Sequence, residues 1–227
     1  MKRIRLLAHE VVPAIVLILG LSFAGSARAA LFHFSSGADA LNQYVPDSPQ
    51  GGLAYSFVFE DTGLQIGSIT LTLSISGGYN GDLYASLSHG ANYAVLLNRV
   101  GGGLGSPYGS GTSGFDITLN MGLLNDIHNA SGMPGQPITG NNFSADGRVY
   151  YTDASRDATH TLDAFNRVDP YGTWTLFFAD LSPGSVSRLN GWTLDITTVP
   201  EPVDVALSCF AGLFLLGTMG ARKFIHL

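Results

Sequence analysis

Residues 171–198 constrain the fold of this chain more than any other stretch. Trp174, Leu176 and Phe178 alternate there with Thr175, Phe177 and Ala179. Further on, Trp192, Leu194 and Ile196 alternate with Thr193, Asp195 and Thr197. Side chains of a strand point to opposite faces with a period of two, so each run reads as a half-buried strand. Leu181-Ser182-Pro183-Gly184-Ser185 between them is a turn by composition. The expectation is a closing hairpin that sends both tryptophans of the chain into one core.

Similar runs occur upstream. Residues 53–59 form one, and in residues 66–76 the side chains of Ile69, Leu71, Leu73 and Ile75 share a face. Leu83, Ala85 and Leu87 mark a third, followed by residues 93–97, 115–119 and a short candidate at 148–152. Gly77-Gly78 and Ser88-His89-Gly90 serve as turns. Residues 101–114 are nearly all glycine, serine and proline and read as a flexible surface loop. Residues 122–169 show no sustained period and read as an irregular insert. With 29 glycines and only 12% charged residues, short strands and frequent turns outweigh any helical reading. The fold class expected is all-β, a jelly roll or β-sandwich of about eight strands.

Both ends of the chain carry address-like patterns. Lys2, Arg3 and Arg5 precede an apolar run over residues 11–23, and Ala27, Ala29 and Ala30 supply small residues around a cut after Ala29. That is the layout of a secretory signal peptide over residues 1–29, too short in its apolar core for a spanning helix. At the other end, Val199-Pro200-Glu201-Pro202 precedes an apolar stretch, residues 203–221, and then Arg222-Lys223. The stretch is close to the roughly 20 residues that cross a bilayer, with the basic pair on the cytoplasmic side. The expected layout is a signal peptide over 1–29, a sandwich over 30–198 and a tail over 199–227.

Charge excludes one class of partner. Residues 30–199 hold five arginines, no lysine and fourteen acidic residues, a formal charge of −9. Binding nucleic acid requires a basic face for the phosphates, so no nucleic-acid partner is expected. The single cysteine, Cys209, rules out an internal disulfide framework. The histidines have no i, i+4 partner and no cysteine beside them, which argues against zinc. Asp61, His89 and Ser113 follow the chain order of one protease triad, but a triad is defined by geometry, and these three fall in separate turns. No catalytic residue is assigned. Asp47, Asp82 and Asp180 are candidate calcium ligands, gathered from distant segments, and each also suits a turn cap.

Two resemblances follow from these residues. Val45-Pro46-Asp47, Gly81-Asp82-Leu83, Leu96-Leu97-Asn98-Arg99, Phe115-Asp116, Gly172-Thr173-Trp174, Asp180 and Leu189-Asn190-Gly191-Trp192 resemble the P domain that follows the catalytic domain of proprotein convertases and many bacterial secreted proteases. That resemblance implies a non-catalytic jelly roll that assists a protease, with calcium bound in some bacterial members. No protease domain is expected in these 227 residues, and residues 122–169 match poorly. The tail, with Val199, Pro200, Glu201, Pro202, Arg222 and Lys223, is similar to the PEP-CTERM sorting signal of Gram-negative bacteria. It implies processing by an exosortase partner and transient anchoring in the inner membrane.

The expectation is therefore an exported, non-enzymatic protein of the cell surface or extracellular matrix, with calcium as a candidate ligand and extracellular polysaccharide as a candidate partner. One alternative is a lectin-like carbohydrate-binding module, with Tyr79, Tyr84 and Tyr108 as stacking rings. Another is an accessory domain acting with a separate secreted protease.

Overall fold

The computed structural model describes residues 29–36, 42–48, 51–60, 63–122 and 125–200, together with Phe210. Ala29–Val199 forms one compact unit; of the second unit, Met1–Arg28 with Pro200–Leu227, only Pro200 and Phe210 are described. The signal-peptide residue Ala27 and the sorting-tail residues Glu201, Pro202, Arg222 and Lys223 lie outside the described residues, as does Asp61. No helix among the described residues is long and apolar enough to cross a membrane.

The unit is an all-β sandwich. Its strands are β1 (Leu31–Ser35), β2 (Gln43–Tyr44), β3 (Leu53–Phe59), β4 (Leu64–Gly77), β5 (Leu83–His89) and β6 (Asn92–Asn98). They continue with β7 (Phe115–Asn120), β8 (Asn125–Asp126), β9 (Ile138–Ser144), β10 (Gly172–Asp180) and β11 (Ser187–Pro200). One sheet runs β1-β11-β4-β7-β9-β8, with β2 beside β11; the other runs β3-β10-β5-β6. The pairs β7–β9 and β8–β9 are parallel.

The core lies between the sheets, where the period-two pattern sends its apolar residues. Ile69, Leu71, Leu73 and Ile75 of β4 are all buried, as are Leu83, Ala85 and Leu87 of β5. An aromatic seam joins the layers where β1 faces β3. Phe32 meets Phe59 at 4.6 Å between ring centroids, and Phe34 meets Phe57 at 4.7 Å.

The expected closing hairpin is corrected. β10 pairs with β3 and β5, while β11 lies in the opposite sheet between β1 and β4. Residues 181–186 therefore cross between layers. Alternation fixes which face of a strand is buried but not which strand lies beside it, so the two runs could be read only as neighbours in sequence. The shared core does form: Phe57 lies 6.4 Å from Trp174 and 5.7 Å from Trp192.

The insert is also more regular than its sequence. Residues 148–152 are not a strand; the strand there is β9, whose Ile-Thr-Gly-Asn-Asn-Phe-Ser lacks alternation because its middle faces solvent. Residues 101–114 are tied down at several points, with Gly101 N donating to His128 O and Ser110 N to Val100 O, both at 2.7 Å.

Candidate functional site

The first junction forms where β5 begins and β10 ends. Asp82 closes a short 3-10 turn, Asn80–Asp82, and Asp180 is the last residue of β10, opposite Leu83. Arg99 follows β6 and reaches into this place. Its guanidinium stands 3.5 Å from Asp82 Oδ1 and donates to Gly81 O at 3.4 Å, Leu181 O at 3.2 Å and Ser182 Oγ at 3.0 Å. Asp180 is fully buried; its Oδ1 accepts from Ser182 N at 3.3 Å, and its Oδ2 has no partner. Burial pushes the Asp180 carboxyl up, and the charges of Asp82 and Asp47 add to that. The Ser182 N–H and Arg99 oppose it, leaving a pKa raised from 3.8 to about 6. Asp47 accepts from Gly184 N through both oxygens at 3.0 Å, tying the segment before β3 to the crossover after β10.

The three aspartates named from sequence thus share one neighbourhood, with Asp180 as its electrostatic centre. Among the described residues, no group of three or more His, Cys, Asp or Glu is placed to hold a metal ion by itself.

Backbone approach at this junction is very close. A Cβ on Gly81 would lie 2.0 Å from Tyr108 O and 2.9 Å from Gly109 Cα. Backbone cannot yield as a side-chain tip does, so Gly81→Ala is expected to cost about 3 kcal/mol. Chemical denaturation of the purified domain checks this through a lowered midpoint at unchanged slope.

A second junction lies in the insert. Arg148 donates to Asp126 at 3.2 and 2.8 Å and to Asp146 Oδ1 at 3.3 Å. Asp146 Oδ2 meets His128 Nδ1 at 2.7 Å, and His128 Nε2 faces Gly102 O at 2.9 Å. Asp146, Arg148 and His128 are all buried. Burial pushes His128 down, but the Asp146 hydrogen bond and charge and the Gly102 carbonyl outweigh it and leave His128 above its ordinary 6.5. Sequence reasoning missed this network, because its members carry no motif and β9 carries no pattern.

Of the supposed triad, Asp61 lies outside the described residues and His89 is otherwise engaged. His89 stacks on Trp174 at 4.4 Å, and both its ring nitrogens face carbonyls, Thr173 O at 3.1 Å and Asp169 O at 2.9 Å. Ser113 anchors a loop through its backbone N–H to Gln136 O at 2.9 Å. The proposed sugar-stacking rings differ in exposure. Tyr108 is 74% exposed, but Tyr84 is half-buried against Phe177, and Tyr79 is half-buried too.

The geometry defines the class of protein only as an all-β sandwich. No protein-family model matches the chain, and no curated protein matches it in sequence. Among solved structures, it is similar to the serine protease of Aeromonas sobria in complex with the chaperone ORF2. That likeness has 14% identity and a TM-score of 0.43, covering 82% of this chain and 30% of the other. The serine protease of Aeromonas sobria alone gives 13% identity and a TM-score of 0.41, covering 81% of this chain and 29% of the other. This chain thus spans under a third of the length of those chains. Likeness at this level carries no argument about activity or partners.

Proposed function

We propose that the chain is a non-catalytic, exported β-sandwich that works by binding, delivered to the cell surface or extracellular matrix through an exosortase-type sorting tail. The observation that carries this is the use made of its reactive groups. His89 is committed to two backbone carbonyls and a tryptophan face, and His128 to Asp146 and Gly102. Neither is left to serve as a base for a nucleophile.

The sorting reading rests on the sequence of residues 199–227. Intact mass of the exported protein tests it: the chain is expected to begin near Ala30 and to end close to Pro200–Pro202. A mass still including residues 203–227 in an exosortase-positive host overturns it. The same preparation is expected to show no peptide hydrolysis, and hydrolysis that disappears in Ser113→Ala overturns the non-catalytic reading.

A second reading, an accessory role beside a separate secreted protease, is favoured by one observation. Asp82, Arg99 and Asp180, which come from three separate P domain-like blocks, meet at one junction. Its test is whether co-expression raises the folded yield of a secreted serine protease.

Calcium belongs to the same proposal. Asp47, Asp82 and Asp180 bring three negative charges to the junction and Arg99 returns one positive charge, leaving a deficit that a divalent ion would balance. The unpaired, buried Asp180 Oδ2 is the atom that fits a cation. Asp180 and Asp82 would hold the ion, with Asp47 contributing charge; calcium accepts such oxygen ligands in flexible geometry.

A further inference from the structure

Beside the buried charge network, exposed Asn129, half-buried Ala130 and exposed Ser131 form a ridge that lines two clefts. One cleft, of about 360 Å³, is lined by Asn125, Asp126, Asn129, Ser131, Thr139 and Phe143 among others. The other, also about 360 Å³, shares the ridge and reaches Gly102, Ser110 and His128. Both fall in the size range of small-ligand sites. We propose that this ridge and the clefts it lines bind an uncharged oligosaccharide. The inference deepens the reading of the chain as a binding module and supplies its ligand class.

The lining chemistry is that of sugar recognition. Sugar hydroxyls both donate and accept, and amides and hydroxyls answer both needs. Asn125, Ser131 and Thr139 are exposed, and their side chains make no hydrogen bond to any described residue. Phe143 is half-buried and pairs in register with Asn125, so an apolar ring borders the amides and can meet the C–H face of a pyranose.

Charge selects against anions. The first cleft contains the Asp126 carboxylate and no lysine or arginine. Arg148 is buried and already shared between Asp126 and Asp146. Both Asp126 oxygens are occupied, Oδ1 by His128 N at 3.0 Å and Arg148, Oδ2 by Arg148 and, at 3.4 Å, by the Asn129 amide. The cleft lining therefore offers an acidic sugar no free cation, and a cation no open carboxylate.

The network also makes the ridge rigid. Arg148 clamps Asp126 through two nitrogens, Asp126 caps the turn Ile127–Asn129, and His128 ties that turn to Gly102. Groups held in place before binding lose less freedom on binding. Because the two clefts share the ridge, the site is a strip, suited to linked sugar units rather than one.

Titration calorimetry of the mature protein tests this with cellotetraose, maltotetraose and xylotetraose as neutral probes, and with glucose and tetragalacturonate as contrasts. At least one neutral tetraose is expected to bind ten times or more tighter than either contrast. Asn129→Ala and Phe143→Ala are each expected to weaken it at least tenfold. Ser131→Glu, an exposed change that leaves the core untouched, is expected to abolish it at unchanged melting temperature. No binding of any neutral tetraose, or binding that Ser131→Glu leaves intact, overturns the site. Equal or tighter binding of tetragalacturonate overturns the ligand class. Shortening of a tetraose during titration would instead overturn the non-catalytic reading.

Discussion

Asp180→Asn is expected to stabilise the calcium-free domain at pH 7 by about 3 kcal/mol. The Asp180 carboxyl has a pKa of about 6 in the fold against 3.8 as a model value, so the folded state binds the proton more tightly. A group raised in this way contributes stability below its unfolded pKa, and that contribution is lost as pH rises through its folded value. Stability should therefore fall between about pH 4 and pH 6, and Asp180→Asn should flatten that slope. Calcium should close the gap between the two proteins. A ligand bound only by the folded state adds roughly 3 kcal/mol at a hundredfold excess over its dissociation constant. The original protein would gain this and Asp180→Asn would not, whereas Asp157→Ala, on an exposed turn, would gain it in full. Magnesium should substitute poorly. Identical melting in calcium and in chelator would remove the ion from the account and leave the carboxylate repulsion standing.

Asp146→Ala is expected to destabilise by about 3–5 kcal/mol, because buried His128 loses its carboxylate partner and buried Arg148 is left with Asp126 alone. The network gives a pH dependence of its own. His128 lies above 6.5 in the fold, so its contribution is complete below that pH and is lost as pH rises through the higher folded value. The expected record is a second decline in stability above pH 6.5, separate from that of Asp180. His128→Gln should abolish the second decline and keep the first. A single slope that ignores both substitutions would show that neither group controls stability.

The strands legible in the sequence were those with one face in the core. Residues 53–59, 83–87 and 115–119 alternate because every second side chain meets the opposite sheet, and each lies in a strand. β1 and β9 were missed for opposite reasons. β1 lies at a sheet edge and has no fully buried residue to mark a core face, and β9 keeps a run of exposed polar residues at its centre. The neighbourhood of Asp47, Asp82 and Asp180 was legible because each aspartate sits at a turn beside a strand end. The ridge over the insert was not: its support comes from Asp126, Asp146 and Arg148, which sequence marks only as scattered charges.

β1 and β11 lie side by side, Leu31 opposite Thr197, and Thr198 N donates to Ala30 O at 2.8 Å. The chain thus enters and leaves the sandwich at one corner. Tension applied across the two ends would open this pair bond by bond, like a zipper, instead of shearing the whole ladder at once. Because the ends adjoin, a short hairpin turn would close the body into a circuit. It is the kind of architecture that tolerates circular permutation or insertion into the loop of another protein.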